Sequence, residues 1–85
     1  MERVFYGLVF RKVDPRKNQD RMYVLLWQEN LFGEWELVRI WGRAGADSRR
    51  MKATRYPSLE AAWPEIRRIV RTRIRHGYRA FVYLS

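Results

Sequence analysis

Only one stretch of the 85-residue chain repeats its apolar residues at a helical spacing. Leu59, Trp63, Ile66, Val70 and Ile74 recur at intervals of three and four between Pro57-Ser58 and Gly77. That spacing gathers them on one face of a helix. Ser58 is a good N-cap and Gly77 a good C′ residue, which predicts a helix from Ser58 to about His76. Pro64 lacks the N–H that would bond to Glu60, so the helix either kinks there or effectively starts near it. The remaining patterned segments alternate at a period of two. One helix with one apolar face buries that face against a sheet, which restricts the chain to an α+β fold of two layers.

The strands follow from the alternation. Val4 to Val13 is the first, with Val4, Tyr6, Leu8 and Phe10 alternating with Phe5, Gly7, Val9 and Arg11. Both sets are largely apolar, so the strand is either buried on both faces or meets another element on one. Asp14-Pro15 opens a loop through Asn18. Asp20 to Glu29 is the second strand, with Tyr23, Leu25 and Trp27 on one face and Met22, Val24 and Leu26 on the other. Asn30-Leu31-Phe32-Gly33 connects it by a hairpin to a third strand, Glu34 to Arg43. Arg49 to Tyr56 is a fourth, stopped by Pro57, and Tyr78 to Leu84 a short last one. The expected architecture is an antiparallel sheet of four or five strands packed with one long α-helix, in a single domain spanning residues 1–85.

The third strand ends in Trp41-Gly42-Arg43, an odd ending for packing reasons alone. Alternate residues of a strand share a face and lie roughly 7 Å apart, so Arg39, Trp41 and Arg43 align. That spacing is close to the separation of neighbouring phosphates along a nucleic-acid strand. Trp35 and Leu37 fall on the same nominal face, so either a bulge switches faces mid-strand or one end of the face is covered and the other open. Trp27, Trp35 and Trp63 read as core. Charge adds to the argument: 18 Lys and Arg against 9 Asp and Glu give a net +9, and all but three of the cations are Arg. Arg grips phosphate through a planar fork and stacks on bases, so an Arg-dominated excess points to a polyanionic partner. Arg67, Arg71 and Arg75 line one helix face, with Arg68 and Arg73 beside them, and read singly as a solvated face.

Catalysis finds little to work with. The chain has one histidine, His76, and no cysteine. It has no glycine loop for phosphate and no metal-ligand spacing, so no enzyme activity, cofactor or metal site is expected. No segment approaches the ~20 apolar residues of a membrane span, and a soluble cytoplasmic protein is expected, nucleoid-associated if it binds DNA.

Together these residues resemble the WGR domain family. Trp41-Gly42-Arg43 is the family's namesake motif. Arg21-Met22-Tyr23-Val24-Leu25 looks like its basic-x-Tyr-x-Leu strand. Asn30 to Trp35 with Leu37-Val38-Arg39 resembles its hairpin, and Arg43-Ala44-Gly45 its turn. Ser58 to Ala62 is similar to its helix start, His76-Gly77-Tyr78 to its helix end, and Asp14-Pro15 with Asn18 to the lead-in of small free-standing bacterial members. Two departures are the loss of a second turn glycine, replaced within Ala46-Asp47-Ser48, and Pro64. The family is best known as a module of poly(ADP-ribose) polymerases that binds DNA ends. The resemblance therefore implies a non-enzymatic DNA-binding module in DNA repair, favouring strand ends or nicks. It places Trp41 on a terminal sugar or base and Arg43 and Arg21 on phosphate, with Arg39, Asn18 and Tyr78 as further candidates. Trp41→Ala is then expected to weaken binding with little loss of stability. The alternative is a protein-interaction module that docks an acidic partner protein.

Overall fold

The computed structural model describes residues 6–84. Val4 and Phe5, which the alternation assigns to the first strand, lie outside them. Five strands form one antiparallel sheet: β1 (Tyr6–Asp14), β2 (Gln19–Glu29), β3 (Trp35–Arg43), β4 (Arg50–Tyr56) and β5 (Arg79–Leu84), in the order β4-β3-β2-β1-β5. A single helix, α1 (Leu59–Arg75), lies across one face of it. The expected α+β architecture is the one observed.

Local chemistry sets each junction. Between β1 and β2, Pro15–Lys17 makes one 3-10 turn, in which Asp14 Oδ1 accepts from Arg16 N at 3.2 Å. Asn18 then takes a left-handed conformation, φ 50°, which asparagine tolerates better than most residues. At the β2–β3 hairpin Asn30 Oδ1 accepts from both Phe32 N and Glu34 N. Ser58 caps α1 by accepting from Ala61 N at 3.1 Å. The helix starts at Leu59, so of the two alternatives raised by Pro64 a start near the proline is excluded.

The far end of α1 closes in a Schellman motif. Tyr78 N donates to Arg73 O and Gly77 N to Ile74 O, with Gly77 at φ 88°. The motif turns the chain back over the last helical turn and brings the Tyr78 ring onto Arg73.

The core is Phe10, Tyr23, Leu25 and Leu37 from the sheet and Ala62, Ile66 and Ile69 from the helix. This corrects the expected helical stripe. Ile66 is central, and Leu59 and Val70 pack on the core's margin. Ile74, however, is 51% exposed and Trp63 37% exposed. The buried line runs Ala62, Ile66, Ile69 at intervals of four and three, and its next position is Arg73. At about 100° per residue, Trp63 and Ile74 stand roughly 60–80° to one side of Ile66 and Ala62 and Ile69 roughly 40–60° to the other, so the buried line is rotated away from the expected stripe. Trp63 sits at the rim, edge-on to Trp27 at 6.3 Å with the Arg67 guanidinium above it at 5.7 Å. Trp27 packs against the core, while Trp35 is half-buried.

Candidate nucleic-acid interface

The pairing of β2 with β3 runs unbroken from Glu29 opposite Trp35 to Arg21 opposite Arg43. No bulge interrupts β3, so its mixed face is explained by the other alternative: one end is covered and the other is open. Along this face successive rows cross the sheet. Leu8, Leu25 and Arg39 form one row, Phe10, Tyr23 and Trp41 the next, and Lys12, Arg21 and Arg43 the one after. The helix covers the first of these rows and ends over the second. The third lies beyond it.

The aromatic row is a connected stack. The Phe10 ring meets Tyr23 edge-on at 6.3 Å, and Tyr23 stacks on Trp41 at 6.0 Å with planes 20° apart. Arg73 reaches down from the last turn of α1, its guanidinium 4.7 Å from the Tyr23 ring and 5.3 Å from that of Tyr78. A cation between two aromatic faces is held by both ring quadrupoles. Its Nε is buried without a hydrogen-bond partner among the described residues. Arg73 occupies the place where the buried helical stripe would continue, and the stack it joins leaves Trp41 half-buried with part of its ring facing the open end. Trp41 is thus more integrated in the packing than its position in the sequence implied.

The cation row is the notable electrostatic feature. Adjacent strands lie about 4.8 Å apart, so three cationic residues start within about 10 Å of one another. Like charges directly opposite on paired strands destabilise a sheet. Among the described residues neither Lys12 nor Arg21 makes a salt bridge. Arg43 donates from Nη1 to the Asn18 carbonyl at 3.1 Å, which ties the end of β3 to the turn before β2. Asp20, next to Arg21 in sequence, is engaged by Arg11 on the opposite face at 2.7 Å. Arg11's hydrogen bond holds that carboxyl below the usual range, with the charges of Arg11 and Arg43 adding to the effect.

An open cleft of about 420 Å³ joins these groups, with Asn18, Arg21, Tyr23, Trp41, Arg43 and Tyr78 in its lining. Five of the six residues singled out in the sequence therefore come together. Arg39 does not. Its side chain is 19% exposed and pairs with Glu65 of α1 at 3.9 Å. Two contributors escaped sequence reading: Tyr23 joins through its stack and Arg73 through the helical phase, for which the one available signal was the interval from Ile66 and Ile69 to Arg73. Lys12 shares the cation row by the β1–β2 register, but its side chain runs beside Gly77 and does not line the cleft.

The Glu65 cluster yields a pH prediction. The hydrogen bonds from Arg68 hold the Glu65 carboxyl below the ordinary range, and the charges of Arg68, Arg39 and Lys52 add to this. A lowered folded-state pKa stabilises above the unfolded value, about 4.3, and the contribution is lost as pH falls through the folded value. Glu65→Gln is expected to lower stability by up to about 1 kcal/mol at neutral pH. Urea titrations should show the gap from the native protein closing in acid; a gap independent of pH would contradict the assignment.

A two-layer α+β domain with an aromatic and cationic sheet end is thus the class of protein the fold defines. The chain belongs to the WGR domain family, which matches residues 6–82. In poly(ADP-ribose) polymerases the WGR domain is a nucleic-acid-binding module, a binding rather than a catalytic unit. An uncharacterized protein, y4dW, of Sinorhizobium fredii (strain NBRC 101917 / NGR234) is 32% identical over 74 residues, covering 87% of this chain and 36% of the relative. The chain thus spans about a third of that relative's length. No solved structure gives a significant match. Among the described residues no helix is long and apolar enough to cross a membrane.

Proposed function

We propose that the domain is a non-enzymatic DNA-binding module that engages strand ends or nicks at the uncovered end of its sheet. The observation that carries this reading is the placement of the Lys12–Arg21–Arg43 row directly beside the Phe10–Tyr23–Trp41 row. Cations hold the backbone phosphates, and the free part of the Trp41 ring stacks on the sugar or base that a strand end exposes. Inside a continuous duplex the bases are stacked on one another and offer no such surface. Asn18 and Tyr78 border the same cleft and contribute polar contacts. Arg39 belongs to the Glu65 pair and leaves the DNA contacts to the aromatic row and the cation row. Contacts of this kind position the domain without reading bases, so little sequence preference follows.

Trp41→Ala tests the stacking directly. Aromatic stacking is worth about 1–3 kcal/mol per base, so affinity for an ended duplex should fall roughly 5- to 150-fold. Because Trp41 stacks on Tyr23 and packs on the core, the variant should also lose about 1–2 kcal/mol of stability while remaining folded. Unchanged affinity in a folded variant would remove Trp41 from the site.

A further inference from the structure

The sheet face opposite α1 has an unusual composition. In antiparallel sheets with one covered face, the other is normally polar. Here a row of five apolar residues, Phe81, Val9, Val24, Ile40 and Met51, crosses all five strands in register. The neighbouring row contributes Gly7, Leu26, Val38 and Ala53. A side chain at Gly7 would collide with Leu26, which lies across it and levels the surface. Phe81 is 57% exposed and Met51 69% exposed, and among the described residues no element packs on this face. Contiguous exposed apolar patches of several hundred Å² mark interaction surfaces.

We infer that this face is the interface of a weak homodimer, in which two copies pack sheet against sheet. Charge selects a second copy as the occupant. The chain carries +9 overall. This face carries Arg11, Arg49, Arg55 and Arg79 against Asp20 and Glu36, a net of +2. The remaining excess lies on the helix side and beyond, so two highly basic copies approach here with most of their charge directed apart. The ionic groups that frame the apolar rows are themselves paired, Arg11 with Asp20 at 2.7 Å and Arg55 with Glu36 at 3.8 Å. A two-fold contact sets such pairs against their own copies, cation to carboxylate. Five strands at about 4.8 Å and about six residues of strand length give roughly 500 Å² per copy. A pair then buries on the order of 1,000 Å², at the lower bound of specific interfaces, where weak and transient association is the rule. The dimer turns its two cation rows outward on opposite sides and so presents two polyanion sites at once.

Sedimentation equilibrium of the 85-residue chain, free of nucleic acid, tests this. The native protein should pass from monomer to dimer between about 1 and 500 µM. Met51→Glu with Phe81→Glu should stay monomeric across that range, with native circular dichroism. Both side chains are largely exposed in the monomer, and a Met51→Ser, Phe81→Ser pair repeats the test without added charge. A native chain that remains monomeric throughout would overturn the inference. So would folded variants that dimerise as well as the native protein, since the contact would then lie elsewhere.

Discussion

Arg21→Gln combined with Arg43→Gln is expected to lower DNA affinity on the order of 100-fold at low salt, from about 1.4 kcal/mol for each lost phosphate contact. The same change should reduce the slope of log K against log salt by about 2, because each cation that meets a phosphate releases condensed counterions. Stability should move by no more than about 0.5 kcal/mol. Arg21 stands opposite Arg43 in the β2–β3 register, and neutralising both relieves a like-charge pair while sacrificing the Arg43 bond to the Asn18 carbonyl. Anisotropy titrations at several salt concentrations, with urea unfolding beside them, measure both quantities. An unchanged salt slope would show that the row does not meet phosphate. A large loss of stability would make the row structural.

Phe10→Ala should have the largest effect on folding. Phe10 is completely buried and meets Tyr23 edge-on. Emptying that position costs about 3–5 kcal/mol, against a total stability of about 5–15 kcal/mol for a domain. The urea midpoint should collapse. Phe10→Leu, which keeps most of the volume, should recover much of the loss. Binding should fail along with folding, because Phe10, Tyr23 and Trp41 form one row and the platform at its end rests on the core at its start. A loss below about 1 kcal/mol for Phe10→Ala would contradict its placement, since an exposed substitution has effects of that size.

Much of this organisation was legible in the residues. Ser58 and Gly77 marked the helix ends through cap chemistry, and Asn30 to Gly33 marked the hairpin, because both depend on a few neighbouring residues. Site membership was harder to read wherever it depended on phase or register. Lys12 stands beside Arg21 only because Pro15–Lys17 and Asn18 make a turn of one particular length. Arg73 belongs to the buried side of α1, yet an arginine in a basic helix reads as solvated until the helical phase is known. Arg39 shares its strand face with Arg43 and stood as a further candidate beside it. A carboxylate from another element, Glu65, separates the two, and no local pattern on β3 announces that partner. The doubly apolar alternation of β1 left open burial on both faces or a covering element on one; α1 covers one face, and among the described residues no element packs on the other.

Recognition of strand ends is tested by binding to four labelled oligonucleotides. These are a closed hairpin duplex, a nicked duplex, a blunt 5′-phosphorylated duplex and a single strand, compared by fluorescence anisotropy at one fixed salt concentration. Salt must be held fixed because phosphate contacts dominate affinity. Binding to the blunt and nicked duplexes should be tighter than to the closed hairpin, with the preference lost in Trp41→Ala. Equal affinity of the native domain for the closed and the ended duplexes would contradict recognition of strand ends.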